Sequence, residues 1–308
     1  MLAGPTDLIV HQYSREPAFS VKTRLMLGFK SAEWFACDHS TILPKPELAA
    51  LTGGYRQIPV LQVGADIYCG SELVLDQLEA RVPQPSLTRA SGPGIGRGLA
   101  YWAEDNLFWL IVQIVCGSGF ESTTRPDFDA DRKQMLPGIY DVEQMRAALS
   151  VNVPLLRAQL DLLERQLADG RSFLFGDAPD LADISFYFPL DFLRHCRNGN
   201  ERIPDDYPAI AAWMIRVAAI GHGRRHPIDR AGALAVARAA TPTIAPVSTI
   251  AEGPQPGDRV RVKWAAYSPI ELAGELIEAH PRRIAVLWSA PEVGDVVVHL
   301  PRSAGELT

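Results

Sequence analysis

Arg56-Gln57-Ile58-Pro59-Val60-Leu61-Gln62-Val63-Gly64-Ala65-Asp66-Ile67-Tyr68-Cys69-Gly70-Ser71-Glu72 reads as a β-hairpin feeding a helix. Val60, Leu61 and Val63 make one short apolar run and Ile67, Tyr68 and Cys69 a second, joined by a tight Gly64-Ala65 connection, so two antiparallel strands are expected. Pro59 stands at the first strand's entry, where it removes no ladder hydrogen bond, and a cis peptide at Ile58-Pro59 suits that place. Leu73, Val74, Leu75 and Leu78 then recur at helical spacing. Ser71 is expected to cap this helix, with Glu72 at its positive end, and a helix start attracts anions.

Upstream, Asp7 to Tyr13 forms a compact apolar strand and turns through Ser14-Arg15-Glu16-Pro17. Phe19, Val21, Leu25, Met26 and Phe29 share a helix face, Trp34 to Cys37 reads as a second strand, and Pro46 to Leu51 as a short helix stopped by Gly53-Gly54. The order is βαβαββα, which implies a mixed sheet covered by helices. Downstream, Pro83, Pro85 and the run Gly92 to Gly98 predict a linker before one long apolar helix from about Gly98 to Cys116. The glycines follow no strand and do not keep the spacing of a dinucleotide loop. Gly117 to Pro137 carries no period and reads as a loop; helix resumes at Asp141 and runs to Asp169-Gly170. In Phe173 to Ser185, Asp180 and Asp183 have the three-residue spacing of a reciprocal capping box.

The Ile58-Pro59 hairpin that ends in Gly70-Ser71 at a helix start resembles the glutathione-binding half of the glutathione transferase family. The Gly176 to Asp183 block and Tyr207 to Trp213 resemble segments of that family's all-helical domain, and the resemblance spans roughly Leu8 to Arg225. It implies an α/β thioredoxin-like domain over residues 1–82, followed by an all-α domain over 94–225. It also implies reduced glutathione as co-substrate. The backbone of Ile58 beside Pro59 would pair with the cysteinyl part, and Ser71 would hold the γ-glutamyl carboxylate. The family more often has an acidic residue where Gly70 stands, and Glu72 is the candidate to replace it. Arg56 and Gln57 are candidates for the glycyl carboxylate, or else belong to a solvated turn. The thiol is activated in such proteins by a hydroxyl or thiol between the first strand and first helix. Tyr13, Ser14 and Ser20 lie there, Pro17 falls at the usual donor position, and Ser14 is the catalytic candidate. The partner implied is a small hydrophobic electrophile, and the assembly a two-fold homodimer in which the helix at Ser71 and the helix over Trp102 to Val115 meet.

Composition agrees with a globular protein of more than one unit: 308 residues, 47% hydrophobic and 21% charged, with a mean hydropathy of +0.00. A net charge of -6 and a pI of about 5.7 leave no electrostatic footprint for nucleic acid or an anionic membrane. Four scattered cysteines without a C-x-x-C pair, and a start without a secretory pattern, fit a cytoplasmic location. No metal is expected at His195, Cys196, His222 or His226, which lack further ligands at the required spacing.

Beyond Arg225 the family's usual chain ends. An alanine-rich helix from Asp229 to Ala240 and an extended Thr241 to Pro246 precede strands at Val260 to Trp264, Gly274 to Glu278, Ile284 to Trp288 and Val296 to Leu300. Their short spacing predicts a small SH3-like β-barrel over 255–303. From Arg225 onward bases and acids balance at nine each, so docking onto the body or a partner chain is expected rather than nucleic-acid binding. An alternative function follows: a binding or scaffold protein of the same fold that has lost its chemistry and uses this extension as its interaction surface.

Overall fold

The computed structural model describes residues 3–13, 18–120, 125–197, 199–248, 250 and 252–308. Its first half runs β1 (Ile9–Gln12), α1 (Ala18–Phe29), β2 (Glu33–Asp38), α2 (Pro46–Thr52), β3 (Val60–Val63), β4 (Asp66–Cys69) and α3 (Ser71–Arg81), the order expected. β1 pairs parallel with β2 and antiparallel with β3, and β3 pairs antiparallel with β4. Gly64 turns the hairpin at φ 60, and a Cβ there would sit 2.8 Å from the carbonyl oxygen of Pro5, so both backbone and space ask for glycine. Val10, Trp34 and Ala36 face the α1 and α3 side, in one core with the helical half; Ile9, Phe35 and Cys37 face the other way. This alternation is the period-two rule of a two-faced sheet.

The helical half departs from the expected pattern at its start. The run Gly92 to Gly98 is not a linker: α4 (Pro93–Trp102) begins inside it, with Pro93 in the first turn and Gly92 before it at φ 75. Proline is preset for a first helical turn and lacks only an N–H that would be orphaned anyway. Gly96 is required by contact, since a Cβ would meet Ser91 Oγ at 2.4 Å. Nor does one helix reach Cys116. A π-helical turn over Ala103–Phe108 separates α4 from α5 (Trp109–Gly117). The expected loop after Gly117 contains α6 (Pro126–Met135), with Asp127 and Asp129 in its first turn and Arg132 and Lys133 in its last, complementing the helix dipole without an apolar period. α7 (Val142–Ala147) and α8 (Leu149–Leu167) follow, then the buried α9 (Leu181–His195) and α10 (Pro208–Ala218).

The segment after α10 wraps around the first sheet. β5 (Arg224–Ile228), not foreseen in the sequence, pairs parallel with β2 and extends one edge. α11 (Arg230–Ala239) is capped by Asp229, whose side chain accepts from Gly232 N at 2.7 Å. The short β6 (Val247–Ser248) pairs with Glu278 and Ala279 of a later strand. β7 (Arg259–Trp264), β8 (Leu272–Ala279), β9 (Arg283–Ala290) and β10 (Gly294–Pro301) contain the strands expected there, in an antiparallel run. They do not close into the expected barrel. β10 pairs parallel with β4 through Val297 opposite Asp66 and His299 opposite Tyr68, and β11 (Gly305–Leu307) takes the free side of β7. One open sheet therefore runs β11-β7-β8-β9-β10-β4-β3-β1-β2-β5. Its second core joins Leu48, Leu51 and Ile67 to Leu272, Leu276, Val296 and Val298. No helix of the described residues is long and apolar enough to cross a membrane.

Candidate functional site

The Ile58–Pro59 peptide is cis. Pro59 O accepts from Gly70 N at 2.9 Å, which joins the proline turn to the start of α3. Among the described residues no hydrogen bond engages the backbone of Ile58, so its amide is available to an extended ligand. Ser71 is not the cap that its position suggests. Gly70, at φ 88, occupies the cap position, and Ser71 is the first helical residue. Its buried Oγ instead accepts from Lys22 Nζ at 3.3 Å. Lys22, on α1, also forms an ion pair with Glu104, which the π-helical turn carries to it. Thus Ser71, a buried ammonium and the positive end of α3 converge at one point, beside a single carboxylate.

The other flank of the proline turn is basic as well. Lys45 Nζ donates to Arg56 O at 2.9 Å and to the Tyr13 hydroxyl at 2.7 Å. Arg56 is no candidate for a ligand carboxylate and lies in no solvated turn: it is buried, and its guanidinium holds both oxygens of Asp131 at 2.6 and 2.7 Å. The Gln57 side chain accepts from the Tyr55 hydroxyl at 3.1 Å. Glu72 is paired with Arg282 at 2.8 Å, at the junction with the C-terminal strands. Ser20 is buried and accepts from Tyr13 N at 3.1 Å, which fixes the end of β1 on α1. Ser14 and Pro17 lie outside the described residues.

Followed along its hydrogen bonds, the site is one path: Lys45 on Arg56, the open amide of Ile58, Pro59 on Gly70, then Ser71 on Lys22 and Glu104. Such a path suits an extended peptide-like ligand with a carboxylate at each end and an ammonium at one. Sequence reasoning singled out Ile58, Pro59 and Ser71 but not Lys22, Lys45 or Glu104. A lysine inside an otherwise apolar helix face was the available signal for Lys22. Behind α9, Asp180 and Asp183 do form the capping box, and Asp183 also accepts from Leu174 N at 2.9 Å and Trp213 Nε1 at 2.8 Å. Its place is structural.

Comparisons with known proteins bear on the family and the fold. Residues 16–86 match the model of the glutathione S-transferase N-terminal domain and residues 146–216 that of the C-terminal domain. No curated protein is significantly similar in sequence. Among solved structures, a GST-like protein from Pseudomonas syringae is similar over 98% of this chain and 100% of its own, at 34% identity and a TM-score of 0.79. A Tau class glutathione S-transferase from mango, Mangifera indica, covers 69% of this chain and 89% of its own, at 19% identity and a TM-score of 0.51. A beta-etherase from Sphingobium sp. strain SYK-6 covers 70% of this chain and 96% of its own, at 17% identity and a TM-score of 0.52. The last two likenesses show the fold alone, whereas the first extends over nearly the whole chain, C-terminal strands included. The chain belongs to the glutathione S-transferase family.

Proposed function

We propose that this protein binds reduced glutathione along the path from Lys45 to Lys22 and transfers its thiol to a small hydrophobic electrophile. The observation that supports this is the meeting of Ser71, Lys22 and Glu104 at the start of α3 beside the cis Ile58–Pro59 turn. In this reading Ser71 Oγ and Lys22 take the γ-glutamyl carboxylate, and Glu104 takes its ammonium. The backbone of Ile58 pairs with the cysteinyl amide, and Lys45 attracts the glycyl carboxylate. Ser14 remains the proposed hydrogen-bond donor to the thiolate: a hydroxyl that stabilises the thiolate raises its population at neutral pH. A cytoplasmic, reducing setting goes with this reading, since Cys37 and Cys69 are buried free thiols.

Calorimetric titration of the full chain with millimolar glutathione tests the binding. Saturable heat is expected. Ser71→Ala should weaken affinity by roughly tenfold to a hundredfold, the loss of one hydrogen bond to a charged group. An absence of heat and of any thermal shift would overturn the reading. A conjugation assay with several electrophiles separates enzyme from scaffold: turnover above the uncatalysed thiol reaction, lost in Ser14→Ala, supports the enzyme, and binding without turnover supports a scaffold.

A further inference from the structure

On the sheet face covered by α11, the parallel register of β1 and β2 sets His11 opposite Cys37, and His39 follows at the strand's end. All three are buried, and their donor atoms lie within 4.8 Å of one another. His11 Nδ1 is 2.9 Å from His39 Nε2, which is 3.6 Å from Cys37 Sγ. We propose that His11, Cys37 and His39 form a binding site for one copper(I) ion, held by two imidazole nitrogens and one thiolate.

The hydrogen-bond network orients the site. Gln62 Nε2 donates to the carbonyl oxygens of Gly64 at 3.0 Å and Ala233 at 2.9 Å. Its Oε1 therefore faces His11 Nε2, 3.0 Å away, as an acceptor. His11 must then carry its proton on Nε2 and present the Nδ1 lone pair to His39 and Cys37. An imidazole fixed in this way by a partner on its far nitrogen is the usual support of a metal-bound histidine. With metal bonds of about 2.0–2.3 Å, a trigonal set needs donors about 3.5–3.8 Å apart. The sulfur to His39 separation already matches, and the two imidazole nitrogens, 2.9 Å apart, need to part by only about 0.6 Å.

Charge selects the ion. No carboxylate belongs to the cluster among the described residues. The ionic groups around it pair elsewhere, Arg230 with Glu47 and Arg225 with Asp38, while Lys45 serves Tyr13 and Arg56. A divalent ion with one thiolate would leave a net positive charge in a buried place; copper(I) with one thiolate is neutral there. Soft sulfur and imidazole donors also suit it. On binding, the Cys37 thiol releases its proton to solvent, the His39 proton moves from Nε2 to Nδ1, and no electron is transferred.

The test is anaerobic titration of the full chain with copper(I) against a chromogenic copper(I) chelator, with X-ray absorption on the loaded protein. The result expected is one equivalent withdrawn, with one sulfur and two nitrogens at about 2.0–2.3 Å. Cys37→Ser and His39→Gln should each lower affinity at least a hundredfold. Failure to withdraw copper from the chelator, a sulfur-only shell, or wild-type affinity in either variant would overturn the site; preference for zinc at the same ligands would overturn the choice of ion. Melting of the metal-free variants checks their fold. If Cys37→Ser does not fold, His39→Gln and the absorption spectrum of the unaltered chain still decide.

Discussion

Asp183 receives three donors, Leu174 N, Asp180 N and Trp213 Nε1, and is fully buried. Burial pushes its carboxyl up to about 6, against the lowering effect of those same hydrogen bonds. Asp183→Ala would strand the donors in the core at about 1–3 kcal/mol each. The expected outcome is a loss of at least about 3 kcal/mol in urea unfolding, enough to threaten a domain of ordinary stability. This residue was legible in the sequence, because its partner Asp180 lies three positions away and capping is a local interaction. Lys22 and Glu104 were not, because the ion pair joins residues 82 positions apart and its meaning exists only once α1 and the π-helical turn meet. His11, Cys37 and His39 were silent for the same reason: strand register, not spacing, brings them together.

At the scale of elements, the seam between β4 and β10 has its own fastening. Asp66 accepts from Thr243 N at 3.1 Å and Thr243 Oγ1 at 2.8 Å, and lies 3.6 Å from His299, which stacks on Tyr68. Burial raises the Asp66 carboxyl, but the neighbouring His299 imidazole and the hydrogen bonds from Thr243 outweigh it and hold the group below its ordinary value. A depressed folded-state pKa stabilises above the unfolded value, near 3.9, and the contribution is lost as pH falls through the folded one. The stability difference between the unaltered chain and Asp66→Asn should therefore be constant above about pH 5 and shrink below about pH 4. A difference that grows on acidification would refute this. The strands at this seam were readable from their alternation, but their partner was not. A strand's pattern says which face is buried and nothing about which edge it joins. The glycine-rich start of α4 misled for a different reason: one of its glycines, Gly96, answers to packing against Ser91, which propensity does not contain.

For the whole molecule, the question is what the C-terminal strands do to assembly. Family-type pairing would bring the helix at Ser71 to a partner. Here the outer face of α3 is engaged by its own chain: Glu72 with Arg282, and Asp76 with Arg97, Arg282 and Arg283. The two-fold dimer of the family remains the expectation for the full chain, and a monomer in light scattering would refute it. A dimer that survives Arg282→Glu with Arg283→Glu would show pairing through another surface, and a dimer formed only after truncation near Arg225 would show that the strands mask the interface. The joining of β10 to β4 also sets a timetable for the growing polypeptide. β4 emerges from the ribosome with its outer edge open, and the strand that completes it follows about 230 residues later. At ordinary synthesis rates this is a delay of roughly 12–46 s. Throughout it the nascent amino-terminal half presents a ready template for foreign strands, so this fold depends on whatever shelters that edge until β10 has been made.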